Sequence, residues 1–283
     1  VQDGGRPGRA WSGIPAGGWL VPALAWAANR AVGNPVDAAA IEHFGPLAFA
    51  PRGGGVWVAF DGITRWVAED HVCTVEAPAG RVGYVAVAGG LDTPIVCGAR
   101  GASVAAGIGR ALGVGERVAV APAELAVGSE SGSAGPARSR PDPAARSGAR
   151  ESSVVEADPI APIRVVRGPD VERFAPEAWD TFLASPWRVG PADRVGMRLV
   201  GPGLLRSDTD VARSMPMVPG AIQVPADGAP IVLGPDHPTT GGYPLIGVVI
   251  RVDRGALFAK NPGAAVAFVE VDPAEARPSV IQR

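Results

Sequence analysis

The segment Asp193-Arg194-Val195-Gly196-Met197-Arg198-Leu199 places two guanidinium groups on either side of a glycine. In a strand, alternation would turn Val195, Met197 and Leu199 toward a core and leave Arg194, Gly196 and Arg198 on the opposite face. At strand rise the two arginines would stand roughly 13 Å apart along that face, with a gap free of side chain over Gly196. A carboxylate or phosphate could lie there between two planar forks of donors. The same pattern also describes a solvated outer face on which Gly196 marks a bulge.

A second polar concentration, Asp236, Thr239, Thr240, Gly241, Gly242 and Tyr243, falls within eight positions. Paired glycines there let backbone N–H groups approach a ligand or curl into an anion-binding nest, and an ordinary Asp/Thr/Gly turn reads equally well. Asp236 is the only acid in this loop. It is a candidate general base or orienting group, or else a carboxylate that stabilises the turn. Gln223 and Tyr243 are candidate ligand contacts because a strand end and the adjoining loop would give them fixed positions. Gln2, Asp3 and Arg6, in the opening glycine-rich turn, are further candidates whose plain alternative is a surface loop.

The elements that must hold these groups are short. Ala221 to Val224 and Ile231 to Leu233 are apolar and β-branched, and Pro225-Ala226-Asp227-Gly228 between them carries the chemistry of a hairpin turn with a positive φ near its end. Pro22 to Val32 reads as a helix with proline in its first turn and Gly33-Asn34 ending it, and Asn34-Pro35 as the start of a second short helix toward Glu42. Strands are predicted at Val56 to Phe60, Val72 to Glu76, Tyr84 to Ala88 and Arg164 to Arg167, then around Met197, Ile222, Ile231, Ile246 and Phe268. Pro176 to Leu183 reads as a helix burying Trp179, Phe182 and Leu183, and Asp272-Pro273-Ala274-Glu275 as a capping box opening a last short helix. Between Gly128 and Ser153 there is no Val, Leu, Ile, Met or aromatic residue, so ordering that stretch could not be offset by burial. It reads as a disordered linker, residues 126–160, between an N-terminal β subdomain, residues 1–125, and a C-terminal β-barrel subdomain, residues 161–283.

Composition narrows the chemistry. The chain of 283 residues is rich in Gly (39) and Pro (29), which favours short strands joined by turns and excludes a helical bundle. Its net charge of −2 gives no electrostatic reason to expect nucleic acid or an anionic membrane surface. Lys260 is the only lysine and does not follow a phosphate-loop glycine, which excludes a P-loop. It also lacks the methionine-flanked hairpin of a biotin carrier. Cys73 and Cys97 are too few for a disulfide framework and read as buried small hydrophobes. His43, His71 and His237 form no ligand pair, so no structural metal is expected. No apolar run approaches the ~20 residues that cross a bilayer, so a cytoplasmic location is expected.

Several segments resemble, in order, the carboxyltransferase subdomain A and B family, which includes allophanate hydrolase subunit 2, Kip antagonist and the C-type subunit of bacterial 5-oxoprolinase. They are VQDGGRPG from Val1, GIP from Gly13, AN and VGN at Ala28 to Asn34, VAGG from Val87, RVVRGP from Arg164, DRVGMRLVGP from Asp193, and the stretch from Gly220 to Tyr243. The resemblance implies a mainly β chain of two cyclophilin-like β-barrel subdomains with a few short helices, and a cleft between the halves that the opening motif lines. It implies a component of ATP-dependent 5-oxoprolinase, the enzyme that converts 5-oxoproline to glutamate. That component acts with a B-type partner related to allophanate hydrolase subunit 1 or Kip inhibitor, with an A-type LamB/YcsF-like subunit, and with ATP and magnesium at the partner interface. The same family also implies two alternatives: a biotin-dependent urea carboxylase component, or a non-catalytic module that binds its B-type partner. The chain departs from the family where SGAMD is replaced by GGWLV at Gly17 to Val21, and where SRST is replaced by Ala99-Arg100-Gly101-Ala102. Loss of polar groups in the first half implies that the second half carries most of the site.

Overall fold

The computed structural model describes residues 1–121, 161–207, 214–274 and 276, which fall into two compact units. The expected linker lies outside the described residues, as does most of the last short helix; of its opening, Asp272 accepts the Ala274 N–H in a turn. The first unit comprises Val1–Gly5, Pro22–Ala102 and, of the stretch that starts at Gly109, the described residues 109–121. Helix α1, Pro22–Ala31, has proline in its first turn as expected, and Gly33 at φ +81° follows it. The predicted second helix after Asn34 is instead a turn closed by the Ala38 N–H on the Pro35 carbonyl. Two asparagines make that turn stable. Asn29 donates to the carbonyls of Val36 and Ala38, while Asn34 donates to the Val87 carbonyl and accepts from the Gly89 N–H. The AN and VGN motifs are therefore scaffolding.

The strands of this unit are β1, Ile41–His43; β2, Leu47–Phe49; β3, Val56–Phe60; β4, Ile63–Val67; β5, Cys73–Val75; and β6, Gly83–Val87. They form a four-stranded sheet ordered β1-β6-β3-β4 and a separate β2-β5 pair. β6 is buried at every position because a core of Val58, Phe60, Val75, Val85 and Leu91 lies on one face and α1 packs on the other. Cys73 is buried in that core, whereas Cys97 is exposed in a loop at φ +54°, contrary to the expectation that both would be interior.

The second unit comprises Arg6–Val21, Ser103–Ile108 and the described residues after 160, so two stretches of the sequence's first half fold with it. Its elements are β7, Ile163–Arg167; α2, Ala178–Ala184; β8, Trp187–Ala192; β9, Gly196–Val200; β10, Met215–Pro216; β11, Ala221–Gln223; β12, Ile231–Leu233; β13, Thr240–Gly241; β14, Leu245–Val249; α3, Arg254–Phe258; β15, Ala265–Val266; and β16, Phe268–Glu270. Eight strands join in the order β15-β8-β9-β12-β11-β14-β7-β16. The two edge strands are consecutive in the chain, so Ala265 to Glu270 pairs with β8 at one end and with β7 at the other. This nearly closes the sheet into a barrel and leaves little open edge. The chain is thus mainly β, with few helices. α2 seats Phe182 against Phe268 at 4.6 Å between ring centres, and the Trp187 indole donates to the Phe182 carbonyl at 2.8 Å. Trp179 and Phe182 are buried as predicted, while Leu183 is only half-buried. The β11-β12 hairpin forms with Gly228 at φ +74°.

Candidate functional site

Arg194 does not stand on β9. β8 ends at Ala192 and β9 starts at Gly196, which leaves Arg194 in the connecting turn. From there its guanidinium points inward: Nε donates to Asp236 Oδ2 at 2.8 Å, and Nη2 donates to Asp236 Oδ1 at 3.1 Å and to the Gly18 carbonyl at 2.7 Å. The two side chains are 15% and 4% exposed, a forked ion pair almost out of water. Backbone bonds fix the approach, with the Asp236 N–H on the Arg194 carbonyl at 3.0 Å and the Gly234 N–H on the Val195 carbonyl at 2.9 Å. Gly234 makes room, since a Cβ there would stand 2.3 Å from the Arg194 carbonyl oxygen.

Arg6 brings a second buried guanidinium, 2% exposed, to the same place. A Cβ on Gly17 would stand 3.3 Å from Arg6 Nη1 and 3.5 Å from Asp236 Oδ1. Gly17 itself has φ +64°, and its N–H donates to the Pro235 carbonyl at 3.1 Å. The replacement of the family's serine by Gly17 therefore falls directly over the ion pair. Beside Asp236 lies His237, also buried. Its Nδ1 is 2.7 Å from the Pro238 carbonyl. Burial pushes the imidazole below its ordinary value, and the Arg254 charge acts the same way, while the Pro238 bond and Asp236 oppose them. Burial likewise lowers the Arg254 guanidinium, with Arg251 adding to the effect.

Arg198 is used differently. It lies opposite Ile231 while Gly196 lies opposite Leu233, so Arg198 is near the hairpin end of β12 and Arg194 near its loop end. Its Nη1 is 3.6 Å from Asp227 Oδ2, and both side chains are about half exposed. The expected shared face of Arg194, Gly196 and Arg198 is therefore corrected. The space over Gly196 is also filled, because a Cβ there would stand 3.1 Å from both Ile231 Cγ2 and the Val232 carbonyl oxygen. The register irregularity lies on β8, between Val189 and Ala192, instead of at Gly196.

The Thr-Gly corner forms a ladder in place of a nest. Thr240 and Gly241 pair with Pro216 and Met215, and neither Gly241 nor Gly242 has a positive φ. Thr239 is half-buried and holds the Met217 N–H through its carbonyl, while Thr240 and Tyr243 are exposed. Beneath the half-exposed Gly241 lies Gln223, whose Nε2 donates to Met217 Sδ at 3.5 Å. Gln2 and Asp3 are in the first unit and act as staples. Gln2 Nε2 donates to the Ala102 carbonyl, and the Asp3 carboxylate accepts the Gly5 and Arg100 N–H groups. A shallow cavity lined by Leu24, Ala28, Phe60, Asp61 and Tyr84 also lies in that unit, and none of the candidate residues lines it.

Chemically, the Arg194 cluster anchors and orients. With its forks already on Asp236 and Gly18, Arg194 does not fit a phosphate grip, and Asp236 so engaged is a poor general base. Of Arg6, Arg194 and Arg198, Arg198 is the guanidinium most open to solvent. Among the described residues no three His, Cys, Asp or Glu side chains gather to hold a metal ion. Sequence reasoning missed His237, Arg254 and the Gly17-Gly18 backbone as members of the cluster. No local pattern signals them, because they meet through contacts distant in sequence.

Residues 12–270 match the family described as carboxyltransferase domain, subdomain A and B. The chain is 33% identical to the C-type subunit of 5-oxoprolinase from Escherichia coli, an alignment covering 98% of this chain and 89% of that protein. It is 28% identical to urea amidolyase of Lachancea kluyveri over 98% of this chain, which spans only 16% of that much longer protein. The crystal structure of Kluyveromyces lactis urea carboxylase shares the fold at a TM-score of 0.75 and 22% identity, covering 98% of this chain and 27% of that one. With nearly its whole length matched in this way, the chain belongs to the carboxyltransferase domain family of subdomains A and B.

Proposed function

We propose that this chain is the C-type component of an ATP-dependent 5-oxoprolinase, working with a B-type partner and an A-type subunit. The observation that carries this reading is the end-to-end match: 98% of this chain aligns with 89% of a protein that is itself a 5-oxoprolinase subunit. In the proposed reaction the lactam oxygen takes a phosphoryl group from ATP, water opens the activated ring, and glutamate, ADP and phosphate leave. This chain's part is to bind and orient the lactam in the second unit. There the Arg6, Arg194 and Asp236 cluster fixes the loop after β12, and with it the corner carrying Thr239 to Tyr243. Arg198, the reachable guanidinium, is placed to attract an anionic ligand from solvent.

A second reading is favoured by one observation, the fold shared with urea carboxylase, in which the same architecture would serve biotin-dependent carboxyl transfer to urea. The two are separated by co-purifying the chain with its partner subunits and measuring ADP release after addition of 5-oxoproline or urea. The oxoprolinase reading expects release with 5-oxoproline alone. Release only with urea in the presence of bicarbonate, a biotin carboxylase and its biotinylated carrier would replace it, and tight partner binding without turnover on either compound would leave a Kip antagonist-like module.

A further inference from the structure

We propose that the carboxamide of Gln223 reads the cis-amide edge of a ligand, the neighbouring N–H and C=O that a lactam or a urea presents on one side. The proposal deepens the oxoprolinase reading and rests on it for the choice of 5-oxoproline as the first ligand. Gln223 ends β11 at a break in register: Ile222 lies opposite Gly247 on β14, but Gln223 lies opposite Leu245. The residue passed over is Ile246, so the bulge lies on β14 directly across from Gln223, and bulges are over-represented next to active sites. Gln223 itself is 8% exposed and poorly paired within the protein. Its nitrogen has only a thioether acceptor, Met217 Sδ at 3.5 Å, and its oxygen accepts no hydrogen bond among the described residues. Whichever way the amide is turned, one end lacks a partner. The amide oxygen is not among the buried unpartnered atoms, so solvent reaches it, and a ligand that replaces the solvent finds an acceptor already in place.

Gly241 keeps the amide uncovered. A Cβ there would stand 2.6 Å from Gln223 Nε2 and 3.1 Å from Met217 Cε, so any side chain at 241 would press on the carboxamide. Around it Gly241 and Gly242 are half-exposed and Thr240 and Tyr243 exposed, which puts the carboxamide just beneath the surface. A primary carboxamide offers one donor and one acceptor on a single edge, and two parallel bonds to a matching edge fix the orientation of the ligand. A carboxylate or phosphate presents acceptors only and would leave Oε1 unpaired. 5-Oxoproline, urea and the ureido ring of biotin all carry a matching edge. The edge is therefore the property of this site, and the choice among those ligands discriminates between the readings of function.

The test is calorimetric titration of the full chain, assembled with its partner subunits, using 5-oxoproline, N-methyl-5-oxoproline, urea, biotin and adenosine. N-methylation removes the donor that pairs with Oε1, so 5-oxoproline is expected to bind about tenfold more tightly than its N-methyl analogue. In Gln223→Met, of similar length but without the edge, that ratio is expected to fall to about one. The thermal midpoint of the variant is recorded alongside, and the native chain with the two lactams decides the matter even if the variant does not fold. Binding of urea or biotin in place of 5-oxoproline, lost in Gln223→Met, would sustain the cis-amide edge and overturn the oxoprolinase reading. Equal affinity of the native chain for the two lactams, an unchanged ratio in folded Gln223→Met, binding of adenosine alone, or no binding of any ligand would overturn the proposal.

Discussion

Asp236 is nine-tenths buried and depends on Arg194 for two hydrogen bonds, so deleting the arginine strands a charge instead of merely removing a contact. Arg194→Ala is expected to lower the unfolding free energy by about 3–5 kcal/mol, read from urea denaturation, and Arg194→Lys to fall between, since an ammonium cannot reproduce the fork. A midpoint equal to the native one would contradict the pairing. His237 supplies the pH dependence. Its folded-state value is depressed by burial, so the unfolded chain binds its proton more readily. The neutral imidazole's contribution is therefore complete above the ordinary value of 6.5 and is lost as pH falls below it. The difference in denaturation midpoint between native protein and His237→Gln should shrink from pH 7.5 to pH 5, roughly the window around an unperturbed histidine. A constant difference would contradict this. At this scale the sequence marked Arg194, Asp236 and Gln223 as chemically capable, but it could not assign partners. Alternation specifies faces only once the first residue of a strand is known, and β9 begins two residues after Arg194.

Elements with strong local signals match their predictions closely. α1 carries proline at its start and glycine past its end, and the β11-β12 hairpin carries its own turn residues. Where two local signals compete, context decides. Asn34-Pro35 has the residues of a helix start, but Asn29 and Asn34 spend their amides on backbone carbonyls and amides of neighbouring segments, and a turn results. The glycines carry meaning that composition cannot convey. Gly234 has an ordinary φ, yet it is the point where the loop after β12 touches the turn before β9. Gly234→Ala is expected to cost about 1–3 kcal/mol by overpacking against the Arg194 carbonyl. Gly263→Ala is a poor control because its φ is +83°, whereas Gly45, with nothing within 4 Å of a Cβ and no positive φ, is a fair one. Thermal unfolding of Gly234→Ala no lower than that of Gly45→Ala would contradict the close approach.

At the scale of the molecule, high Gly and Pro content with short β-branched runs made a mainly β chain legible, and the ordered motifs made the family legible. Closure of the second unit was not. It depends on Ala265 to Glu270 pairing with β8 and β7, strands that lie 77 and about 100 residues earlier, and no local pattern records such partners. The recruitment of Arg6–Val21 into the second unit was equally hidden, and it supplies Arg6, Gly17 and Gly18 to the buried cluster. No helix among the described residues is long and apolar enough to cross a membrane. The proposed role as one subunit of an oxoproline-cleaving assembly is tested most directly by glutamate formation from 5-oxoproline and ATP, using purified partner subunits with and without this chain. The account predicts glutamate only when the chain is present; equal glutamate formation in its absence would contradict it.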